Sequence, residues 1–140
     1  APVWTVAQSG RGDPYRLRRA VLAYGKTFVG DLNSAAIGEL TDDVATHFGE
    51  AAEYRFDVGL IYNEGKGVIL KSVELIALPG RAPAGVEGTI FFSMTRDGET
   101  WSVERAISTG KAGQRSLRMQ WRPRTMFRTW AGLRFRGYSA

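Results

Sequence analysis

The chain has 140 residues, a length typical of one ordinary domain or of a small domain with a fragment of another. It has no cysteine and a single histidine, which excludes disulfides and thiolate chemistry and leaves little material for a metal site or a catalytic triad. No apolar run approaches the roughly 18 residues of a membrane-spanning helix. From this composition we expect a protein that is not an enzyme.

The formal net charge of +5 is unevenly distributed along the chain. Residues 111–140 contain eight basic side chains and no acidic one, a charge of +8, so that residues 1–110 carry −3. Seven of these eight side chains are arginines, whose guanidinium groups bind carboxylates and phosphates through two parallel hydrogen bonds. Such a segment predicts an acidic partner, either nucleic acid or an acidic protein surface.

The first part of the chain has the pattern of a β-hairpin. Residues 21–29 predict a strand or a tight hairpin through Gly25-Lys26, residues 30–34 predict a turn, and residues 35–40 predict a returning strand. Residues 41–52 predict either a short helix or a linker. We therefore predict a hairpin segment in residues 1–45, a possible remnant of a β-propeller blade, and a second domain in residues 46–140.

From residue 53 onward the apolar residues alternate with polar ones, as in half-buried antiparallel strands. In residues 53–61 one face is predicted to carry Tyr54, Phe56 and Val58 and the other face Glu53, Arg55 and Asp57. Residues 68–78 predict one long central strand, although this apolar run also fits a helix. Residues 89–95 and 101–107 predict a hairpin whose turn contains Asp97-Gly98.

Two arginine-bearing strands end the chain. In the first, Leu117, Met119 and Trp121 alternate with Arg118, Gln120 and Arg122, and in the second Leu133 and Phe135 alternate with Arg134 and Arg136. Each strand therefore has an apolar face and a cationic face, and the positive charges need compensation by Glu53 and Asp57 or by a partner. Residues 46–140 predict a small antiparallel β-sandwich, so that the whole chain is all-β.

The cationic faces are the candidate site, and the partner-binding residues are predicted to be Arg118, Arg122, Arg134 and Arg136, exposed and free to contact a neighbour. An acidic protein partner, single-stranded nucleic acid, and a solvated face of arginines over aromatic rings remain open as alternatives. The aromatic residues lie in the core phase, which argues against base stacking. No catalytic, cofactor-binding or metal-binding residue is predicted. His47 is expected in a linker or on the surface, and the tryptophans in the core.

Several motifs of the second half resemble one known family. Residues 93–101 (SMTRDGETW) contain a D-G-x-T-W turn, followed by a G-x-x-G at Gly110 and Gly113 and by an R-x-x-W-R strand at 118–122. Together with the arginine-rich strand ending at Arg136, they resemble the C-terminal region of the tail-hub, or packaged-DNA stabilisation, proteins of short-tailed bacteriophages. Residues 28–40 are similar to propeller strands of that family. Arg96 and Glu99 depart from its turn pattern.

The resemblance implies a C-terminal piece of a longer structural virion protein with a β-propeller ahead of it. Such hubs form a homo-oligomeric ring below the portal, carry the tail needle and the tailspikes, and help to retain the packaged DNA. The implied partners are the portal or adaptor, the needle and the tailspike, in a virion made in the host cytoplasm, with no cofactor and no membrane. The alternative is a basic β-sandwich that binds nucleic acid or glycan, including a sialidase-like accessory domain with Trp101 or Trp121 exposed along a groove.

Overall fold

The computed structural model describes residues 6–10, 13–44, 46–82 and 84–138, and for Leu60 only the backbone. All regular secondary structure in these residues consists of β-strands, which confirms the predicted all-β class. The described residues divide into two compact units, one ending at Glu53 and one formed by Tyr54–Tyr138. The boundary between residues 45 and 46 stays a prediction.

The first unit contains small antiparallel sheets. Its strands are β1 (Gln8–Ser9), β2 (Asp13–Pro14), β3 (Leu17–Ala23), β4 (Lys26–Asp31), β5 (Ile37–Leu40), β6 (Thr46–His47) and β7 (Glu50–Ala51). Strands β3, β4 and β5 form a meander, and β1 pairs with β2 and β6 with β7. The hairpin alternative for residues 21–29 is therefore correct. Its turn lies at Tyr24 and Gly25, which both have the positive φ angles (53° and 72°) of a tight hairpin turn.

The short helix considered for residues 41–52 is wrong in the part that the structure describes. Strands β6 and β7 form a small hairpin around Phe48 and Gly49, whose φ angles are +51° and +82°. Two consecutive residues in the left-handed region cannot continue a right-handed helix. The glycine in the sequence T-H-F-G-E is thus a turn signal that outweighs the acidic cap before it.

The second unit is a β-sandwich. Its strands are β8 (Glu53–Tyr62), β9 (Val68–Leu70), β10 (Val73–Leu75), β11 (Thr89–Thr95), β12 (Arg105–Ser108), β13 (Met119–Trp121), β14 (Thr125–Phe127) and β15 (Trp130–Tyr138). One layer is a four-stranded sheet in the order β12-β11-β15-β8. The other layer consists of two two-stranded sheets, β10-β13 and β14-β9.

The core lies between these two layers and is built on aromatic rings. Phe92 of β11 and Phe135 of β15 are cross-strand partners, and Trp121 of β13 packs on both, with ring centroids 5.4 and 5.6 Å away. Ile90, Leu133 and Met119 complete the buried cluster. Phe56 of β8 stacks on Phe135 at 5.2 Å and so lies on the predicted apolar face, although it stays 40% exposed. The predicted antiparallel β-sandwich is confirmed.

The prediction of one long central strand in residues 68–78 is wrong. The segment forms two short strands, β9 and β10, which pair with β14 and β13 in different sheets. The cause lies in the partner strands, because residues 122–124 interrupt them. Pro123 has no N–H to donate, and Arg124 has a φ of +48°. Strand β14 was not predicted, and β12 begins at Arg105 rather than at residue 101.

Shortening a side chain of the buried core should lower the free energy of unfolding by a predictable amount. Phe92 is 1% exposed, so Phe92→Ala should lower the free energy of unfolding by about 3–5 kcal/mol through lost burial and the cavity left behind. Val103, at 87% exposure, provides the control: Val103→Ala should change it by no more than about 0.5 kcal/mol. Urea unfolding followed by tryptophan fluorescence measures both, and equal losses would contradict the assigned core.

Candidate functional site

The four predicted arginines lie on two opposite faces of the sandwich. In β15, Arg134 and Arg136 alternate with core residues and therefore face outward from the four-stranded sheet. Arg118 and Arg122 flank β13, whose Met119 and Trp121 point into the core, and they lie on the outer side of the other layer. The alternation of apolar and cationic faces is confirmed, but the two strands do not pair with each other.

Arg134 is held by a carboxylate and a ring of its own domain. It donates two hydrogen bonds to Asp57 of β8, at 2.7 and 2.8 Å, and its guanidinium lies 3.6 Å from the ring centroid of Trp101. These hydrogen bonds hold the pKa of the Asp57 carboxyl below its ordinary value. Asp57 is thus one of the internal counter-charges that the sequence pattern allowed.

Arg136 is buried although it lies on the outer face of the four-stranded sheet. It is 6% exposed, donates hydrogen bonds of 2.8 and 2.6 Å to Glu104, and lies between the rings of Phe91 and Tyr138. A buried guanidinium is tolerated only when it is paired, which Glu104 achieves. The expectation that the whole row is free for a neighbour is therefore wrong for Arg136. Glu104 was missed because it lies in the predicted strand of residues 101–107, and only the tertiary fold brings its carboxylate to Arg136.

On the other face, Arg118 and Arg122 differ sharply. Both are exposed, but Arg118 donates two hydrogen bonds, of 2.5 and 2.7 Å, to Glu74. These bonds lower the pKa of Glu74 and raise the pKa of Arg118. The Arg122 guanidinium donates a long hydrogen bond of 3.5 Å to the side-chain oxygen of Gln120 and pairs with no carboxylate of the described residues. The role of all four arginines in binding a partner stays a prediction.

A groove opens on this outer face beside Arg122, where the two small sheets meet. We call it the basic groove, and it has a volume of about 520 Å³. Its lining consists of Lys71, Ser72, Gln120, Arg122 and Arg124. Three of these five side chains are positively charged and none is acidic. Lys71 and Arg124 were not predicted from the sequence, because neither lies in a regular alternating strand.

A second cleft of about 530 Å³ lies on the other side of residues 122–124 and shares Arg124 with the basic groove. Arg96, Arg105 and Asp97 are its other charged lining residues. The charge of Asp97 is engaged in the hairpin turn. Its carboxylate accepts hydrogen bonds from the backbone N–H groups of Glu99 (3.0 Å) and Thr100 (2.8 Å) and from the Thr100 hydroxyl. Asp97 shapes the predicted turn, which is confirmed.

His47 is half buried rather than in a linker or on the surface. Its Nδ1 lies 2.7 Å from the hydroxyl oxygen of Ser9, which also accepts the backbone N–H of Arg16 at 3.0 Å. A nucleophilic serine needs its histidine oriented by a further group, and no carboxylate of the described residues bonds the other ring nitrogen. The pair connects β1 to β6.

Trp101 and Trp121 leave little surface for stacking a sugar or a base. Trp121 is buried, as expected, and its indole N–H donates to the Arg105 carbonyl at 2.9 Å. One face of Trp101 is covered by Arg134, and Trp4 lies outside the described residues. The glycan-binding alternative required Trp101 or Trp121 along an open groove, which this arrangement does not favour.

Within the ranges that the structure describes, no group of three or more His, Asp and Glu side chains is placed to hold a metal ion. No helix in those ranges is long and apolar enough to cross a membrane.

The second unit thus defines a β-sandwich domain with paired arginines on both outer faces and an open basic groove on one of them. A family model described as Bacteriophage P22 Gp10, beta-sandwich matches residues 53–140, and the chain belongs to this family. It is a structural protein of the phage tail-hub class and a component of the virion, with other virion components as neighbours. The resemblance drawn from the turn and the arginine motifs is confirmed. No curated protein matches the chain.

The hairpin turn supports a prediction on pH. Its hydrogen bonds, first of all that from the Thr100 hydroxyl, hold the pKa of Asp97 far below its ordinary 3.8. The carboxylate therefore stabilises the fold fully above pH 3.8, and this stabilisation is lost as the pH falls through the folded-state pKa. Asp97→Asn should lower the urea midpoint at pH 7. The difference in urea midpoint between this variant and the unaltered chain should become smaller below pH 3.8.

Asp42→Asn is the matched control, because Asp42 is an exposed carboxylate in a turn. At each pH between 7 and 3, the urea midpoint of this variant should be nearly the same as that of the unaltered chain. A deficit of Asp97→Asn that stays constant down to pH 2 would show that the ionised carboxylate does not stabilise the turn.

Proposed function

We propose that the chain is the C-terminal region of a tail hub that joins the portal to the tail needle and tailspikes and helps to retain packaged DNA. The observation that carries this proposal is the family match over residues 53–140, which covers the whole β-sandwich. The specific neighbours and the DNA-retaining role come from the resemblance of residues 93–136 to such hubs. The domain acts by binding and not by turnover.

The internal ion pairs support a mechanical role. Arg134 connects β15 to β8 through Asp57, and Arg136 connects β15 to the segment before β12 through Glu104. Both pairs are bidentate, which fixes the direction as well as the distance between the groups. Side-chain cross-links over the four-stranded sheet, in addition to its backbone hydrogen bonds, suit a domain that stays rigid while its neighbours assemble around it.

The charge distribution supports assembly as a ring. A ring requires head-to-tail contacts, in which one surface of a subunit meets a different surface of the next. Residues 1–110 carry −3 and residues 111–140 carry +8. Arg118, Arg134 and Arg136 already bind carboxylates of the same domain, so the cations around residues 122–124 are among those left to favour contact with an unlike, acidic surface of the next subunit.

Competition during assembly tests the proposal. DNA-filled heads are completed with tail proteins in an extract of cells infected by the source phage, with or without an excess of the 140-residue chain. The chain should occupy the sites of the intact hub, so the yield of infectious particles should fall about tenfold with a matching rise in nuclease-sensitive DNA. Particles are counted by plaque assay and inspected by electron microscopy.

The chain with Phe92→Ala is the control, because its damaged core should weaken competition. Particles that form with full tails and protected DNA at every concentration of the unaltered chain would contradict the proposed function. Loss of tails without loss of DNA would contradict the retention role.

A further inference from the structure

The outer face of the second layer combines an apolar pair with three cations. Ile69 of β9 and Met126 of β14 are direct cross-strand partners, and they are 65% and 58% exposed. Lys71 follows β9 directly and Arg124 directly precedes β14, so both cations lie at the same end of the two strands, two residues from Ile69 and Met126. The face therefore offers apolar contact and positive charge side by side.

The cations of the basic groove are not neutralised by carboxylates, whereas other arginines of the same domain are. Arg118 and Arg134 each hold a carboxylate with two hydrogen bonds, whereas no described carboxylate forms an ion pair with Lys71, Arg122 or Arg124. Three like charges around one groove of about 520 Å³ repel one another, and an incoming anion relieves that repulsion. The groove is complementary to a negatively charged group.

The backbone holds this arrangement at a cost. Arg124 has a φ of +48°, in the left-handed region that a side chain other than glycine, asparagine or aspartate rarely adopts. The preceding residue, Pro123, is buried, and the next residues form β14, so the surrounding fold imposes the conformation. Tyr24 and Phe48 have a similar φ in tight turns, and at Arg124 this conformation turns the chain between β13 and β14. Here it places the Arg124 side chain at the border of both clefts.

The chemistry of the groove favours a polypeptide over a nucleic acid. Single-stranded nucleic acid binds where bases stack on open rings, but Trp121 is buried, Phe127 is 2% exposed, and one face of Trp101 is covered. Elsewhere in this domain arginines bind carboxylates, in three bidentate pairs. The exposed Ile69–Met126 pair adds apolar surface that a phosphate backbone would leave unused.

We propose that the basic groove binds an extended acidic segment of another virion protein, with carboxylates on Lys71, Arg122 and Arg124 and apolar side chains on Ile69 and Met126. The inference rests on the proposed function in one respect, namely that the partner is a virion protein. The groove's preference for such a segment can be measured without that assumption.

The probe is a labelled peptide of alternating glutamate and leucine, compared with its glutamine–leucine analogue and with oligothymidylate of equal charge. Fluorescence anisotropy measures binding to the 140-residue chain. The glutamate peptide should bind at least tenfold more tightly than the other two probes. Changing Lys71, Arg122 and Arg124 together to glutamine should weaken glutamate-peptide binding about tenfold or more, as expected from three exposed ion pairs.

The matched control changes Arg55, Arg81 and Lys111 to glutamine, which removes the same charges at exposed positions outside the groove. It should weaken binding no more than about threefold, and the urea midpoints of both variants should match the unaltered chain. Equal weakening by the two variants would overturn the proposal, because binding would then follow net charge. Tighter binding of oligothymidylate would overturn it in favour of a nucleic acid.

Adding the groove variant to the assembly competition separates this inference from the proposed function. The variant should compete at least tenfold less effectively than the unaltered chain. If both compete equally, the tail-hub role stands and the groove is not the contact. If the unaltered chain does not compete, the proposed function fails, and the peptide measurements alone decide whether the groove prefers an acidic segment.

Discussion

The sandwich depends on β15 being buried on both of its faces. On one face Leu133 and Phe135 enter the aromatic core, and on the other Arg136 is buried and must be neutralised. A buried guanidinium without a carboxylate would cost several kcal/mol. The segment that supplies Glu104 therefore has to lie against the sheet, and the strand order β12-β11-β15-β8 brings it there.

This constraint divides the arginines of the last thirty residues into two groups. Arg118, Arg134 and Arg136 hold Glu74, Asp57 and Glu104, all from the net-acidic part of the chain. Much of the opposition between an acidic body and a basic tail is thus satisfied inside the domain. The other five cations of this segment form no ion pair with a described carboxylate, so the charge available to a partner is smaller than the formal +8 indicates, and Arg122 and Arg124 are the two of them that line the basic groove.

Local signals predicted the local structure well. The alternation in residues 89–95 matches β11 to the residue, and Asp97-Gly98 correctly marked the hairpin turn. The effects of residues distant in sequence could not be predicted. Strand β9 is separate from β10 because of Pro123 and Arg124, some fifty residues further along the chain. Periodicity also cannot distinguish Arg136 from Arg122, since both alternate with core residues and only the tertiary fold buries the first. The sequence thus indicated the faces but not which cations remain available.

The irregularity that defeated the strand prediction also creates the basic groove. A continuous strand over residues 68–75 would pair with a continuous partner and give a flat outer sheet. The interruption at Lys71-Ser72 and the matching one at residues 122–124 instead leave a gap between the sheets β14-β9 and β10-β13. Both interruptions carry cations, because chain that leaves a sheet on its solvent side can expose long charged side chains at little cost. The interruption of the strands and the basic groove are therefore the same structural feature. A substitution that straightened residues 122–124 would remove the groove together with the positive φ angle of Arg124.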